Sequence, residues 1–463
     1  MKRRLKVIGL GSLVALLIFW CHPAFPATTE DVLKRLNDLS DIIQQQQKEI
    51  ERLKQGLKDQ RKSIEKGKEA QKEEIQKAVK VETKEAEKSW REWLPKWVQR
   101  IKIYGDLRLR YERLWDRGML NNDGTEGKQD PRDRGRFRVR LYLDAPITDE
   151  IATYFMVTTN MDTNREATTT NATFGEDFND KGIYIARAYA EYKPNWLKGL
   201  GVGAGKFKMN FYNTDIMWDP DVNPEGVFEY YRYKGSKVFQ PFIYLSQMVV
   251  NENNRTPDAM LYLNQAGFDW QIGPVKWILA GSYYSWSNLA GTKWLGKGEF
   301  KSGGGNTFIT DGAGNISYKY NYKLWEGISF VNFNLGSFPV ELTFDYIHNA
   351  ADGVPSNEDS AYCADFKIGR DKNKGDYSLY YKYAYIEQNA VVGSLNDQDF
   401  YGANRKGHKV AVHYWPFSNT LLRAAFFYTD PVSTWQKEGN PLWNVDRYKM
   451  HEDRLHVDFI FKF

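Results

Sequence analysis

The sequence predicts an antiparallel transmembrane β-barrel of about 16 strands, preceded by an α-helical coiled-coil segment. The aromatic residues divide the chain into these two parts, because none of the 70 falls between residues 28 and 89 and 67 lie from Trp90 onward. The period of the apolar residues also changes, from seven before Trp90 to two after it. Finally, short and long connections alternate between the period-two segments, as in membrane barrels.

Residues 1–27 have the pattern of a secretory signal peptide. A basic start (Lys2, Arg3, Arg4, Lys6) precedes an apolar stretch that ends near Trp20. Removal of these four cations leaves 60 of the 64 Lys and Arg residues, which nearly balance the 59 Asp and Glu. The net charge therefore gives no reason to expect a nucleic-acid partner. Cys21 lies in this leader and Cys363 is left alone, which excludes an intrachain disulfide or a cysteine zinc site. We expect no metal and no cofactor.

Residues 28–89 are rich in Lys, Glu and Gln and are predicted to form a coiled coil in the periplasm. Apolar residues fill the heptad a positions and part of the d positions. The predicted core consists of Leu36, Leu39, Ile43, Ile50, Leu53, Leu57 and Ile64. The alternative is a solvated single helix or linker, and Gln46 and Gln60 at d leave dimer and trimer open. A Trp-rich junction over residues 90–100 fits an interfacial belt.

Residues 101–463 are predicted to form the barrel. The segment Arg136–Leu143 shows the pattern, because an apolar residue stands at every second position. Seven short turns and eight long loops imply about 16 strands with both termini on the short-turn side. A secreted β-sandwich or propeller is the alternative, since single strands of these folds show the same alternation.

The C-terminal strand alternates in the same way and ends on an aromatic residue. Its apolar set runs from Leu455 to Phe461 and closes on Phe463. Such an end resembles the signal that the barrel assembly machinery of Gram-negative bacteria reads. It therefore predicts an outer-membrane location, with the outer wall in contact with lipid.

Three stretches carry a family resemblance. They are residues 102–111, the strand from Arg136 to Asp144, and the run from Ala188 through Gly205 and Lys206 to the block Trp218–Gly226. With these stretches the chain resembles the putative porin family of Gram-negative outer membranes, in which a coiled coil precedes the barrel. The resemblance implies a passive diffusion channel that is usually a homotrimer, and it implies no particular solute.

If the apolar set faces lipid, the other set lines the lumen, and much of it is basic. The predicted pore-lining residues are Lys102, Asp106, Arg108, Arg110, Glu112, Arg136, Arg138, Arg140, Arg187, Glu191, Lys206 and Lys208, with the last two on the fifth strand. A basic wall favours anions in a narrow channel. The alternative is that carboxylates such as Asp106 and Asp458 neutralise the arginines and only stiffen the wall. Anion preference is therefore a hypothesis at this point.

A polar block in the third long loop is predicted to fold inward as a constriction. Its candidate residues are Trp218, Asp219, Asp221, Asn223 and Glu225. The oxygen spacing resembles the start of a calcium loop, but Pro224 and Tyr230 occupy the positions where such a loop requires Gly and Glu. The histidines show no spacing that forces a catalytic site, so we expect no enzyme.

The sequence thus predicts an outer-membrane porin that passes small hydrophilic solutes. Two alternatives stay open. One is a structural anchor that tethers the envelope through its coiled coil, with a contact to the cell wall. The other is a channel specific for phosphate or a similar anion, which would bind its solute saturably.

Overall fold

The computed structural model describes residues 29–115, 117–120, 126–160, 166–175, 177–254, 257–292, 303–310, 316–400, 402–433 and 451–463. The predicted signal peptide lies outside these residues. Helix α1 spans Thr29–Trp93 and a short helix α2 spans Lys96–Gln99. The long helix follows from a run of strong helix formers without proline, and Pro95 separates it from α2.

The apolar seam of α1 is exposed to solvent in the single chain. Ile43 and Ile50 are each 51% exposed, and Leu57 is 61% exposed. The helix is therefore present as predicted, and its pairing into a coiled coil stays a prediction. Within the described residues, no helix is both long and apolar enough to cross a membrane.

Sixteen strands form the barrel wall, and we number them in chain order. They are β1 Lys102–Trp115, β2 Arg132–Pro146, β3 Ile151–Thr159, β4 Ile183–Tyr192, β5 Leu200–Lys206, β6 Glu225–Arg232, β7 Phe239–Asn251, β8 Ala259–Ile272, β9 Val275–Ser287, β10 Lys323–Leu335, β11 Phe338–Asn349, β12 Ser360–Gly369, β13 Tyr377–Ile386, β14 Arg405–Phe417, β15 Thr420–Pro431 and β16 Glu452–Lys462. Short strands within the loops are Arg117–Leu120, Glu126–Gln129, Ala172–Thr173, Phe308–Thr310 and Ile316–Tyr318.

Each barrel strand pairs antiparallel with its sequence neighbours, and β1 closes the barrel on β16. The closing register runs from Asp106 opposite Lys462 to Trp115 opposite Asp453. Closure leaves no sheet edge unpaired, which is what a strand structure in hydrocarbon requires. The predicted fold class, a closed antiparallel barrel of 16 strands after an N-terminal helix, is confirmed.

The connections alternate in length as predicted. Four of the long loops matter for the lumen: L2 (160–182), L3 (207–224), L5 (288–322) and L7 (387–404). A fifth, L6 (350–359), serves below as a control. Two-residue turns at 273–274, 336–337 and 418–419 close hairpins at the other end, where Gly273, Gly336 and Asn419 adopt the positive φ that such turns need.

The two faces of the wall differ in chemistry. On β1, Leu109 and Tyr111 point outward and are 41% and 44% exposed, whereas Arg110 between them is 4% exposed and faces the lumen. Phe344 on β11 and Val412 on β14 continue the exposed apolar surface around the barrel. An apolar outside around a polar inside is the arrangement of a barrel in a bilayer.

Candidate functional site

The lumen is the candidate site, and loop L3 crosses it. The backbone N–H of Tyr212 donates to Gln265 Oε1 on β8 at 2.9 Å. Further along, the Thr214 hydroxyl donates to Asp345 on β11, and Asp215 pairs with Lys382 on β13. These contacts attach L3 to the far wall. The loop enters the lumen directly after β5, where the Phe207 N–H bonds to the Pro224 carbonyl at 2.8 Å.

Loop L7 enters the lumen from another side and meets L3. Asp397 lies 3.6 Å from Lys409 on β14, and Asp399 lies 3.4 Å from Arg110 on β1. The Asp219 N–H in L3 donates to the Leu395 carbonyl in L7 at 2.8 Å. L7 therefore meets L3 at Leu395 and then contacts the wall at β14 and at β1.

Apolar side chains of L3, L5 and L7 pack together with the inner wall. The cluster includes Phe211, Met217, Trp218, Leu289, Tyr318, Val391, Val392 and Phe400 from the loops, and Tyr244, Tyr284, Trp286 and Leu324 from the strands. Burial of this surface stabilises the loops inside the barrel, at roughly 25 cal/mol per Å² of apolar area removed from water. The inward loops are thus folded structure with a core of their own.

The basic residues of β1 and β2 are largely neutralised by carboxylates. Arg110 Nε donates to Asp458 on β16 at 2.7 Å, and Arg136 Nη1 lies 3.3 Å from Glu112. Arg138 pairs with Asp106, and Arg140 pairs with Asp221 of L3. Burial would raise the pKa of Asp221, but Arg140 and Arg138 hold it below its usual value. The ion-pairing alternative therefore describes most of this wall.

Two predicted lumen arginines differ from the rest. Among the described residues, no carboxylate oxygen lies within 4.0 Å of Arg108 or Arg187. Arg108 is 6% exposed and donates to the amide oxygen of Asn171 in L2, while its Nε has no partner in the described structure. Arg187 Nε donates to the amide oxygen of Asn223 in L3. Both positive charges therefore lack a counter-charge in direct contact.

The other predicted lining residues occupy several environments. Lys102 is exposed at the first position of β1. Glu191 is buried, accepts a hydrogen bond from the Tyr230 hydroxyl at 2.8 Å and pairs with Lys193 at 2.7 Å. Lys206 is the last residue of β5 and pairs with Glu225 at 2.8 Å.

Lys208 is not on the fifth strand, so that placement is corrected. Strand β5 ends at Lys206, because Gly205 adopts a positive φ of 126° and the chain then turns into L3. Lys208 is an exposed residue of L3 that lines a cavity of the lumen.

The predicted constriction block lies inside the lumen. Trp218 is 3% exposed and packs against Tyr284 and Trp286, so it belongs to the apolar cluster. Asp219 and Asn223 are buried, whereas Glu225 is exposed at the start of β6 and does not belong to the loop. In the described part of the chain, no three His, Cys, Asp or Glu residues are placed to hold a metal ion.

Open cavities remain beside the loops in the described part of the chain, and two of them bear on the function. The larger, about 900 Å³, lies at the short-turn end between β1 and β8, with L3 above it. The smaller, about 180 Å³, lies between L7 and the wall from β13 to β16, and Lys409, Arg423 and His456 line it. Sequence reasoning missed Asp399 of L7, which borders this second space. Burial and the nearby Asp399 carboxylate raise the pKa of Asp397 in L7 to about 6, although the positive charge of Lys409 opposes this increase.

A closed barrel of 16 antiparallel strands, with an apolar outside, a polar lumen and inward loops, has the architecture of outer-membrane channels. The model of the family described as "Putative porin" matches residues 116–303, which confirms the resemblance drawn from the sequence. No curated protein matches the chain.

Solved structures of outer-membrane proteins share the fold. Among them are OprB of Pseudomonas putida at high pH (10% identity, TM-score 0.50, covering 78% of this chain and 94% of that chain) and OmpT of Vibrio cholerae in its trimer form (12%, 0.46, 78% and 99%). The outer membrane channel DcaP of Acinetobacter baumannii is a third (14%, 0.43, 78% and 97%). At these identities, the likeness to OprB supports the fold and nothing finer.

Proposed function

We propose that this chain is a passive diffusion channel for small hydrophilic solutes, with a preference for anions. The observation that carries the preference is the pair of lumen arginines, Arg108 and Arg187, without a carboxylate in contact among the described residues. A charge in a partly desolvated wall acts over a longer distance than one screened by water. The two positive charges therefore lower the energy of an anion in the lumen relative to that of a cation.

Carboxylates on the opposite wall could offset this effect. Glu326 on β10 and Asp345 on β11 have no basic partner within 4.0 Å in the described structure. Both are buried beneath L3 and accept hydrogen bonds from hydroxyl groups, and neither lines either of the two open cavities. Arg187, by contrast, lines the larger cavity. The open part of the lumen therefore contacts Arg187 and contacts neither Glu326 nor Asp345.

Arg108→Gln is expected to shift the reversal potential under a KCl gradient toward cation preference, because glutamine can keep the Asn171 contact but carries no charge. The measurement is planar-bilayer recording of the refolded chain. Arg113→Gln is the matched control, since Arg113 stands on the same strand, is exposed and faces outward. Equal shifts in both variants would contradict the proposal, and current that phosphate blocks saturably in the wild type would favour the specific anion channel.

The helix supports a further part of the proposal, a homotrimer whose coiled coil lies in the periplasm. The exposed seam that includes Ile43, Ile50 and Leu57 gives α1 a reason to associate. Glu49 at g and Lys54 at the following e position carry the opposite charges that pair between parallel helices. A second copy of this chain is the partner that supplies both complementary surfaces.

Gln46→Cys is expected to give disulfide-linked chains on mild oxidation, because position d of the seam brings neighbouring helices into contact. Lys48→Cys, two residues away at the outward f position, is the matched control and should cross-link several-fold less. The readout is non-reducing gel electrophoresis of the full chain. Equal yields at the two positions would mean that α1 does not pair along this seam, and the tether interpretation would then gain support.

A further inference from the structure

The larger cavity is lined by tyrosine rings from several strands. Tyr104 on β1 stacks on Tyr142 on β2 with ring centroids 4.9 Å apart, and Tyr154 on β3 stacks on Tyr189 on β4 at 4.7 Å. All four rings line the cavity and all are at least partly exposed to it. A pocket of this size with aromatic walls is large enough to enclose a small organic molecule.

Strand β5 leaves room for these rings because its inward positions are glycines. A Cβ on Gly201 would stand 2.4 Å from the Tyr230 ring, and one on Gly203 would stand 2.3 Å from the Phe228 ring. The two aromatic rings therefore pack directly against the β5 backbone. A side chain at either glycine would push a ring into the cavity, so the glycines keep this part of the lumen wide.

Arg187 lines this cavity and lies beside one of its tyrosine rings. Its guanidinium carbon lies 5.7 Å from the centroid of the Tyr142 ring. Because Nε is occupied by Asn223, the two terminal nitrogens are left for a carboxylate, which they can hold with two parallel hydrogen bonds. The charge and the aromatic surface are adjacent, so one small molecule can contact both.

The carboxylates of the cavity already have donors. Glu191 accepts from the Tyr230 hydroxyl and pairs with Lys193, Asp144 accepts from the Tyr104 hydroxyl at 3.3 Å, and Asp149 pairs with Arg100 at 2.6 Å. These groups are therefore poorly placed to bind the hydroxyls of a sugar or an organic cation. Among the other lining cations, Arg232 is paired with Asp269 and Lys193 with Glu191, whereas Lys198, Lys208 and Lys234 add positive charge. Arg187 is the lining guanidinium that has no carboxylate partner in the described structure, and it lies beside the tyrosine rings.

We propose that this cavity binds small planar aromatic carboxylates on their way through the channel. The carboxylate lies on Arg187 and the ring packs against the tyrosines, chiefly Tyr142. This inference rests on the proposed channel function, because the cavity is part of the lumen, but binding can be measured without any current.

The test is calorimetric titration of benzoate into the full chain folded in detergent. Arg187→Gln is expected to weaken benzoate binding about tenfold, which corresponds to about 1.4 kcal/mol. Tyr142→Leu should weaken benzoate several-fold and leave cyclohexanecarboxylate unchanged, since that probe has the charge without the aromatic ring. Arg370→Gln, which removes an exposed arginine in a turn, is the matched control and should change neither affinity.

Three results would overturn the inference: no benzoate binding to the wild type, equal affinity for benzoate and cyclohexanecarboxylate, or unchanged affinity in Arg187→Gln. If that variant does not fold, Tyr142→Leu and Arg187→Lys still decide, because lysine keeps the charge but not the paired hydrogen bonds. A barrel that conducts KCl but does not bind benzoate refutes only this inference. A barrel that binds benzoate but carries no current refutes only the channel.

Discussion

Deleting residues 389–402 of L7 and joining the ends with a short Gly-Ser linker is expected to raise single-channel KCl conductance several-fold. L7 lies in the lumen, where Asp397 contacts Lys409 on β14 and Asp399 contacts Arg110 on β1. Three of its apolar residues, Val391, Val392 and Phe400, are buried there. Its removal takes away both this volume and the support that L3 receives through the Leu395 carbonyl. A wider and more hydrated passage conducts more ions.

The matched control shortens L6 instead, by deleting residues 352–357. Four of these six residues are exposed, and the loop follows β11 at the same end of the barrel as L7. Its conductance should equal that of the wild type. If the L7 deletion also left conductance unchanged, although the barrel was folded, the path of ions would not pass L7 at all. The passage would then have to be sought beside the other loops.

The barrel could be predicted because its signal is repeated in every strand. An alternation such as that around Arg138 fixes which side chains face inward, and sixteen such segments leave little freedom for the fold. Contacts between inward-facing residues of two neighbouring strands could be predicted from the same pattern. Arg138 and Asp106 stand on neighbouring strands, with Asp106 opposite Arg140 in the register.

The contents of the lumen could not be predicted in this way, because the inward loops have no period. Asp399 contacts Arg110 across 289 residues of sequence, and Lys382 contacts Asp215 across 167. Such pairs form only once the barrel has brought distant strands together. The misplacement of Lys208 has a similar origin, since the alternation was extended past Gly205, where the backbone leaves the strand. The backbone conformation of Gly205 therefore ends the strand, although the alternation of residues in the sequence continues beyond it.

Lys382→Met is expected to destabilise the folded chain by about 3–5 kcal/mol, the usual cost of leaving a buried charge without its partner. The Lys382 side chain is 2% exposed; its Nζ donates to Asp215 of L3 and lies 3.2 Å from Asp365 on β12. Methionine has a similar length and no charge, so the change mainly leaves two largely buried carboxylates without the cation that lies between them, and only Asp215 keeps a second, more distant lysine. Urea unfolding in detergent, followed by gel mobility and circular dichroism, measures the difference.

Lys409→Met is the matched control on the neighbouring strand β14. Its side chain is 20% exposed, and its ammonium group lies farther from the same carboxylate, at 3.8 Å from Asp215. Because solvent screens this pair and Lys382 remains in place, the loss should be clearly smaller, about 1 kcal/mol or less. Equal losses in the two variants would show that Lys382 holds L3 no more firmly than a partly exposed lysine does.

The pH dependence separates this charge effect from a loss of packing. Burial would raise the pKa of Asp215, but Lys382 and Lys409 hold it below its usual value in the wild type. A carboxyl with a lowered folded-state pKa adds stability above its unfolded value of about 3.9, and this stability is lost as pH falls through the lower folded value. Without Lys382, burial and the nearby Asp365 favour the protonated form. The destabilisation by Lys382→Met should therefore shrink as pH falls from 7 toward 4, whereas a packing defect would cost the same throughout that range.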